Sequence, residues 1–394
     1  MIKTKTNFVL HLLIVNYLFS IYQYLTGGRI YLFRIGGINI LNEDIVSFFI
    51  ILALIKYVCV NHGMVSWPRS VSKWVLIFSG VAIIGLSSAL MSYGLSSTVL
   101  TNMRTFLEHL ILPVLYFSIV PIRVSPSFKK EIRFAAIVVM LTLTVLWVLD
   151  IGLGVRPFGI QTRTDHLRVI GPHQALLFAM YALYELCNDD SNEFSLFGII
   201  LSLYVVLMQY RTVWMAFFAG FVVICYKRLI RDNLLRNKKA IIQIATLAVA
   251  VLLFAFNSSG VITDSIMDNM DSFSDLESGT FGFRMDYWKT ILSGMSTRNW
   301  IIGMSMGQGY PLGINPHSFI IKTLAKTGWI GLMSIEIFLL SLFRKSLQYS
   351  DFFAAAMVTS IIAFGISYDY NMEAGMVMGV CCYILKERSC YIET

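Results

Sequence analysis

An all-α integral membrane protein of about twelve transmembrane helices is the fold class this sequence predicts. Three observations predict it. Apolar runs of spanning length recur along nearly the whole chain. Only 14% of the 394 residues are charged against 57% hydrophobic, with a mean hydropathy of +0.70, where a soluble protein carries roughly 25% charged residues. Lys and Arg, finally, gather in short turns between the apolar runs, the pattern that sets membrane topology. So little polar surface cannot coat a globule in water. The net charge of +8 would suit a nucleic-acid binder, but cations dispersed over turns form no basic groove, and no nucleic-acid partner is expected.

The spans follow in order, each near the roughly 20 mostly apolar residues a crossing helix needs. The first, about 8–26, follows Lys3 and Lys5 and so imitates a signal peptide. No small-residue cleavage site follows and further spans do, so it reads as a retained helix. The next are about 44–60, 74–91, 105–121, 134–152, 171–187, 194–209, 212–227 and 239–256. A mostly polar stretch, 257–317, separates these from the last three, 318–342, 351–367 and 372–386. No internal repeat or linker divides the chain. It is expected to be one polytopic domain, 1–394, with 257–317 as a large outer loop containing short amphipathic helices. The six cysteines show neither zinc nor disulfide spacing, and Cys381-Cys382 reads as a pair of small core residues.

Orientation comes from the Lys/Arg bias. With both termini inside, the dense clusters at 123–133, 227–239, 344–345 and 386–388 all lie on the cytoplasmic side. The outer side keeps mainly arginines: Arg29, Arg34, Arg104, Arg156, Arg163, Arg168, Arg211, Arg284 and Arg298, beside Lys289, Lys322 and Lys326. The guanidinium fork binds phosphate oxygens in pairs. An arginine-rich outer face therefore suggests an anionic ligand, a phosphate or diphosphate, although Arg29 and Arg34 also suit lipid headgroups.

The stretch most suggestive of chemistry is Asn315-Pro316-His317-Ser318, leading through an apolar run to Gly328-Trp329-Ile330-Gly331-Leu332, a Gly-x-x-Gly kink. An imidazole where a polar loop enters the bilayer is placed for proton transfer; the alternative is that His317 caps or anchors a helix end. Arg211, in Tyr210-Arg211-Thr212-Val213-Trp214, sits in the tight turn between two spans. A cation at that depth normally faces a cavity and a partner. Arg284 opens an amphipathic stretch with Tyr287, Trp288, Ile291 and Leu292, and a helix start suits phosphate. Its alternative is a plain surface arginine. Arg168 precedes Gly171-Pro172-His173 and, with Asp165 and His166, could form a polar lip. Arg104 and Glu108 are spaced to neutralise each other. Asp369 and Glu373, at the last outer turn, could orient His317 or an arginine. Asp264, Asp268, Asp271 and Asp275 read as a solvated acidic helix face rather than a calcium loop, and Asn188-Asp189-Asp190 as a small inner turn. No metal-binding motif, Gly-rich phosphate loop or serine-nucleophile elbow stands out, so neither metal nor cofactor is expected.

These motifs resemble the O-antigen ligase and O-antigen polymerase superfamily of bacterial envelope glycosyltransferases. Tyr210-Arg211-Thr212-Val213-Trp214 is similar to that family's Ser-Arg helix opening, with tyrosine in place of the small residue. Phe283-Arg284-Met285-Asp286-Tyr287-Trp288 is similar to its Arg-x-x-x-Trp, and Pro316-His317-Ser318 through Gly331-Leu332 to its His-Asn/Ser and Gly-apolar-apolar-Gly-Leu pattern. Arg168 with Gly171-Pro172 matches a further motif only in shortened form. The resemblance implies a metal-independent inverting glycosyltransferase of the bacterial inner membrane, with its site facing the periplasm. The donor would be an undecaprenyl-diphosphate-linked glycan and the other partners a glycan acceptor and membrane lipid, with a chain-length regulator as an optional addition. By resemblance His317 would be the general base and Arg211 and Arg284 would hold the diphosphate. Arg168, Tyr287 and Trp288, then Asp369 and Glu373, are the lesser substrate-site candidates. Polymerisation of repeat units is the leading expectation, from a prior about family members of this length. The alternative is ligation of the glycan to lipid A–core. A lipid-linked glycan transporter is the competing class, disfavoured because such proteins usually show repeat symmetry and midplane charges.

Overall fold

The computed structural model describes residues 7–26, 32–35, 38–60, 69–122, 126–155, 168–187, 194–228 and 280–392. Among them the chain is nearly all helical: α1 (Asn7–Leu25), α2 (Asn42–Val60), α3 (Arg69–Tyr93), α4 (Ser97–Met103), α5 (Leu112–Ile119), α6 (Pro126–Trp147), α7 (Pro172–Cys187), α8 (Leu196–Leu207) and α9 (Arg211–Tyr226), then α10 (Thr280–Ser293), α11 (Thr297–Ile302), α12 (Phe319–Gln348), α13 (Phe352–Ser367) and α14 (Met372–Ile392). Every expected span within these residues is a helix. The span at 239–256, the acidic series Asp264 to Asp275, Arg29, Arg156, Arg163, Asp165, His166 and Asn188-Asp189-Asp190 lie outside the described residues.

Three helical stretches, Phe8–Leu25, Lys73–Tyr93 and Phe128–Asp150, are long and apolar enough to cross a membrane, and Leu196–Leu207, Arg211–Tyr226 and Phe352–Ser367 are shorter apolar helices. What α3 and α6 show the surroundings is apolar: Ile84 is 71% and Met91 88% exposed on one, Phe134 68% on the other. In water such faces would be a heavy penalty; in lipid they are the solvated side. Two features depart from the all-α expectation. A two-stranded antiparallel hairpin pairs β1 (Phe33–Ile35) with β2 (Ile38–Ile40), Arg34 facing Asn39 across it. And the helical path Ser97–Ile119 passes through a π-helical stretch, Arg104–Ile111. Arg104 and Glu108 both lie on this stretch.

Two compact units make up the chain: residues 1–49 with 121–273, and residues 50–120 with 274–394. In the first, α7 packs on α8 and α9, and α1 lies against α6 and α7. A buried amide network ties α1 to the start of α2: Asn42 Nδ2 donates to Asn16 Oδ1 (2.7 Å), and Gln23 Nε2 to Asn42 Oδ1 (3.1 Å). In the second unit α12 is the central element, packed on α3, α11, α13 and α14, while α14 also lies along α5 and the π-helical stretch. The α14 approach is so close that a Cβ on Gly375 would stand 1.9 Å from the His109 carbonyl oxygen. Gly328 breaks α12 (φ 64°, ψ −168°), as the Gly-x-x-Gly pattern anticipates. That backbone region is open essentially to glycine alone.

Candidate active site

In the second unit the functional candidates converge on the segment between α11 and α12. Ser318 is the N-cap of α12, its hydroxyl accepting from Ile321 N; capping therefore belongs to serine, and His317 is free of that structural duty. The His317 backbone is left-handed, φ 49°. Histidine reaches that region more readily than most residues, but it is still uncommon, costs on the order of 1–3 kcal/mol and persists only where surroundings impose it.

Here they do. Trp288 Nε1 donates to Pro316 O at 2.7 Å. The Tyr287 hydroxyl lies 2.6 Å from Pro311 O and 2.5 Å from Ile314 O. Both side chains are carried by α10 and packed in one apolar cluster with Ile291, Met304 and Ala325. On the other side of His317, Phe319 N donates to Tyr368 O at 3.0 Å, and Asn315 Nδ2 to Asp369 Oδ2 at 3.2 Å. The segment is thus pinned on both sides of the imidazole. Tyr287 and Trp288, expected as substrate residues, act in this structure as the supports of the loop.

The imidazole itself is exposed. Its ring stands 6.1 Å from that of Tyr368, centroid to centroid. Desolvation lowers its pKa from the ordinary histidine value, the positive charges of Arg284 and Lys322 lower it further, and Asp369 opposes them. A neutral imidazole at physiological pH is the form that can accept a proton. Arg284 sits in the first turns of α10, half-buried, with Nη1 donating to Ser367 O at 2.9 Å. A guanidinium has five N–H donors, so that single anchor orients the fork and leaves it able to take phosphate oxygens. The Arg284 charge is thus near enough to act on the His317 imidazole.

Sequence reasoning missed two lysines. Lys322 and Lys326, one turn apart on α12, are each only 2% exposed. Lys322 Nζ lies 2.5 Å from Asp369 Oδ2 and 2.9 Å from Thr105 Oγ1. Lys326 Nζ donates to Ser305 O at 3.1 Å and to Gln308 O, and lies 4.6 Å from the Tyr310 ring centroid. A signal existed: lysines at i and i+4 inside an apolar run are costly unless partnered. Asp369 thus joins the site through a lysine and an asparagine. Glu373 is buried in the first turn of α14. Among the described residues no three histidine, cysteine, aspartate or glutamate side chains come together as metal ligands.

Arg211 and Arg168 belong to the first unit, and there they are neighbours of one turn. Arg211 is the first residue of α9, half-buried, after the N-cap Tyr210. Arg168 Nε donates to Gln209 O at 3.2 Å, and its guanidinium carbon lies 5.5 Å from the Tyr210 ring centroid. Gln209 is fully buried and left-handed, φ 56°. Tyr210 fixes the turn: its hydroxyl donates to Ile170 O and meets the Tyr24 hydroxyl at 3.1 Å. The tyrosine that replaces the small residue in this motif is a strut beneath the arginines.

Taken together, the structure is that of an α-helical membrane protein presenting a strained histidine beside arginine and a buried lysine paired with a half-buried carboxylate. Residues 196–335 match a family model described as O-antigen ligase, which supports the resemblance to the O-antigen ligase and polymerase superfamily. That span holds Arg211, Arg284, His317 and the Gly328 break. No curated protein matches the chain.

Proposed function

We propose that this protein joins glycans, polymerising undecaprenyl-diphosphate-linked oligosaccharide repeats into O-antigen or a related surface polysaccharide. The reading sets it in the bacterial inner membrane, both termini cytoplasmic and His317 facing the periplasm. In the reaction, the neutral His317 imidazole takes the proton of an acceptor hydroxyl as that oxygen attacks the anomeric carbon from the face opposite the diphosphate. The new glycosidic bond forms, the bond to the diphosphate breaks with inversion, and the diphosphate leaves with the electron pair. Arg284, beside His317, is assigned to phosphate oxygens, and the resemblance gives Arg211 the same role. Charge grows on that leaving group in the transition state, so fixed cations there lower the barrier. A diphosphate leaves readily enough that neither metal nor acid is required. The partners are the lipid-linked donor, the glycan acceptor and membrane lipid, with a chain-length regulator as an optional addition.

One observation carries this reading: within the matched segment, an exposed His317 is held in a strained backbone conformation beside Arg284 and with a lowered pKa. The test is His317→Asn, since asparagine tolerates the left-handed backbone but cannot act as the base. In proteoliposomes supplied with a polyprenyl-diphosphate-linked donor, product should fall roughly 10²–10⁴-fold while the protein stays folded. Undiminished transfer would overturn the assignment. The description of the matched family as a ligase favours a second reading, delivery to lipid A–core. Deletion separates the two: single repeats still attached to core indicate a lost polymerase, and polymer stranded on carrier lipid a lost ligase.

A further inference from the structure

The Lys322–Asp369 pair has no part in the chemistry just described, yet it is a costly arrangement to bury. An ammonium buried to 2% exposure in an apolar helix gives up its hydration, and a side-by-side carboxylate returns that only with good geometry and further hydrogen bonds. Both conditions are met. Lys322 Nζ has a second acceptor in Thr105 Oγ1, 2.9 Å away on the π-helical stretch, and Asp369 Oδ2 also accepts from Asn315 Nδ2. Asn315 is two residues before His317. The Tyr368 carbonyl, beside Asp369 in sequence, accepts from Phe319 N, two residues after it. The charged pair therefore holds the segment before His317, and the residue next to Asp369 holds the segment after it.

We infer that Lys322 is a positioning residue of the histidine site: it holds Asp369, Asp369 holds Asn315, and this chain fixes the loop that presents the His317 imidazole. The inference gains its catalytic meaning from the general-base role proposed above, but its geometry stands apart from that role. A structural strut and a positioning residue differ in what they do to the imidazole. Among the described residues, the titratable groups facing His317 are Arg284 from α10, Lys322 from α12, and Asp369 with the Tyr368 ring from the α13–α14 turn.

The measurement is the titration of the His317 ring by NMR on the full chain with ¹³C-labelled histidine in nanodiscs. The protein has six histidines, and the resonance lost in His317→Asn identifies the one of interest. Asp369→Asn removes the charge that favours the imidazolium, so the midpoint should fall by on the order of half a pH unit or more. Lys322→Met removes an opposing charge, so the midpoint should rise by a similar amount. Asn315→Ala removes no charge; a displaced His317 resonance in that variant reports lost positioning alone. If Lys322→Met does not fold, Lys322→Met/Asp369→Asn removes both charges of the pair together and is read in its place, with the same displaced resonance expected. The inference is overturned if the folded variants leave the His317 resonance and its midpoint where the wild type has them. No donor or acceptor is present in this titration. Failure of glycan transfer by the wild-type protein would therefore sink the proposed function and leave the positioning result standing.

Discussion

Replacing Gly328 by alanine should dislocate the His317 loop from a distance. At φ 64° and ψ −168° an alanine pays on the order of 1–3 kcal/mol in backbone strain. Its Cβ would lie 2.3 Å from the Ile301 carbonyl oxygen, 2.4 Å from the carbonyl carbon and 2.5 Å from Ile302 N. These are backbone atoms of α11, which cannot swing aside as a side chain could, so forced repacking adds another 1–3 kcal/mol or so. The middle of both ranges is about 4 kcal/mol, or about 8–16 °C in melting temperature for a unit of 150–250 residues. The damage should spread to the site, because the 303–308 turn hangs on the same helix. Met304 N donates to Ala325 O at 2.7 Å, and Lys326 Nζ holds Ser305 O. Thermal unfolding in detergent measures the loss, with Gly309→Ala as control, since a Cβ there meets nothing within 4 Å and should change stability by less than about 0.5 kcal/mol. Equal melting of Gly328→Ala and wild type would refute the claim that the α11–α12 crossing needs a residue without a side chain.

Three further outcomes follow from the loop's chemistry. The acid limb of the pH–rate profile should lie below about 6.5, the ordinary histidine value, because desolvation and the nearby cations disfavour the imidazolium. Arg284→Gln removes one of those cations, which makes protonation easier and moves the limb upward; a limb unmoved by this change would remove Arg284 from the field at His317. Trp288→Phe keeps the ring packing but leaves the buried Pro316 carbonyl without its donor. Denaturant unfolding should show a loss of about 1–3 kcal/mol, and an unchanged midpoint would deny Trp288 its role as support.

The helices were legible because hydropathy is local. The apolar stretches of α3, α6 and α13 carry their own signal, and Pro172, Pro316 and Gly328 punctuate the chain where they fall. His317 and Arg284 were legible for a related reason: a polar residue where an apolar run begins stands out against its neighbours. The hairpin at 33–40 was missed although Gly36-Gly37 between β-branched and aromatic residues is a hairpin signal; three-residue strands vanish in a window tuned to spanning helices. Lys322 and Lys326 were counted as outward cations because their neighbours average out in that same window. Their partners, Thr105, Asp369, Ser305 and Gln308, are supplied by tertiary contacts that no local pattern announces. Division of the chain into two interleaved units is likewise a property of long-range contacts, and Arg211 and His317 fall in different ones.

That interleaving bears on how the protein is made. Residues 50–120 belong with residues 274–394, and α5 finds α14 only across the intervening stretch of chain. During synthesis the early helices of the second unit must wait, without α12 and α14, while some 150 residues of the other unit are made ahead of the rest. Their lipid-compatible flanks make such waiting tolerable, whereas Thr105, whose hydroxyl ends up against the Lys322 ammonium, has to pass that interval satisfied by its own helix, through the bond it gives to the Thr101 carbonyl.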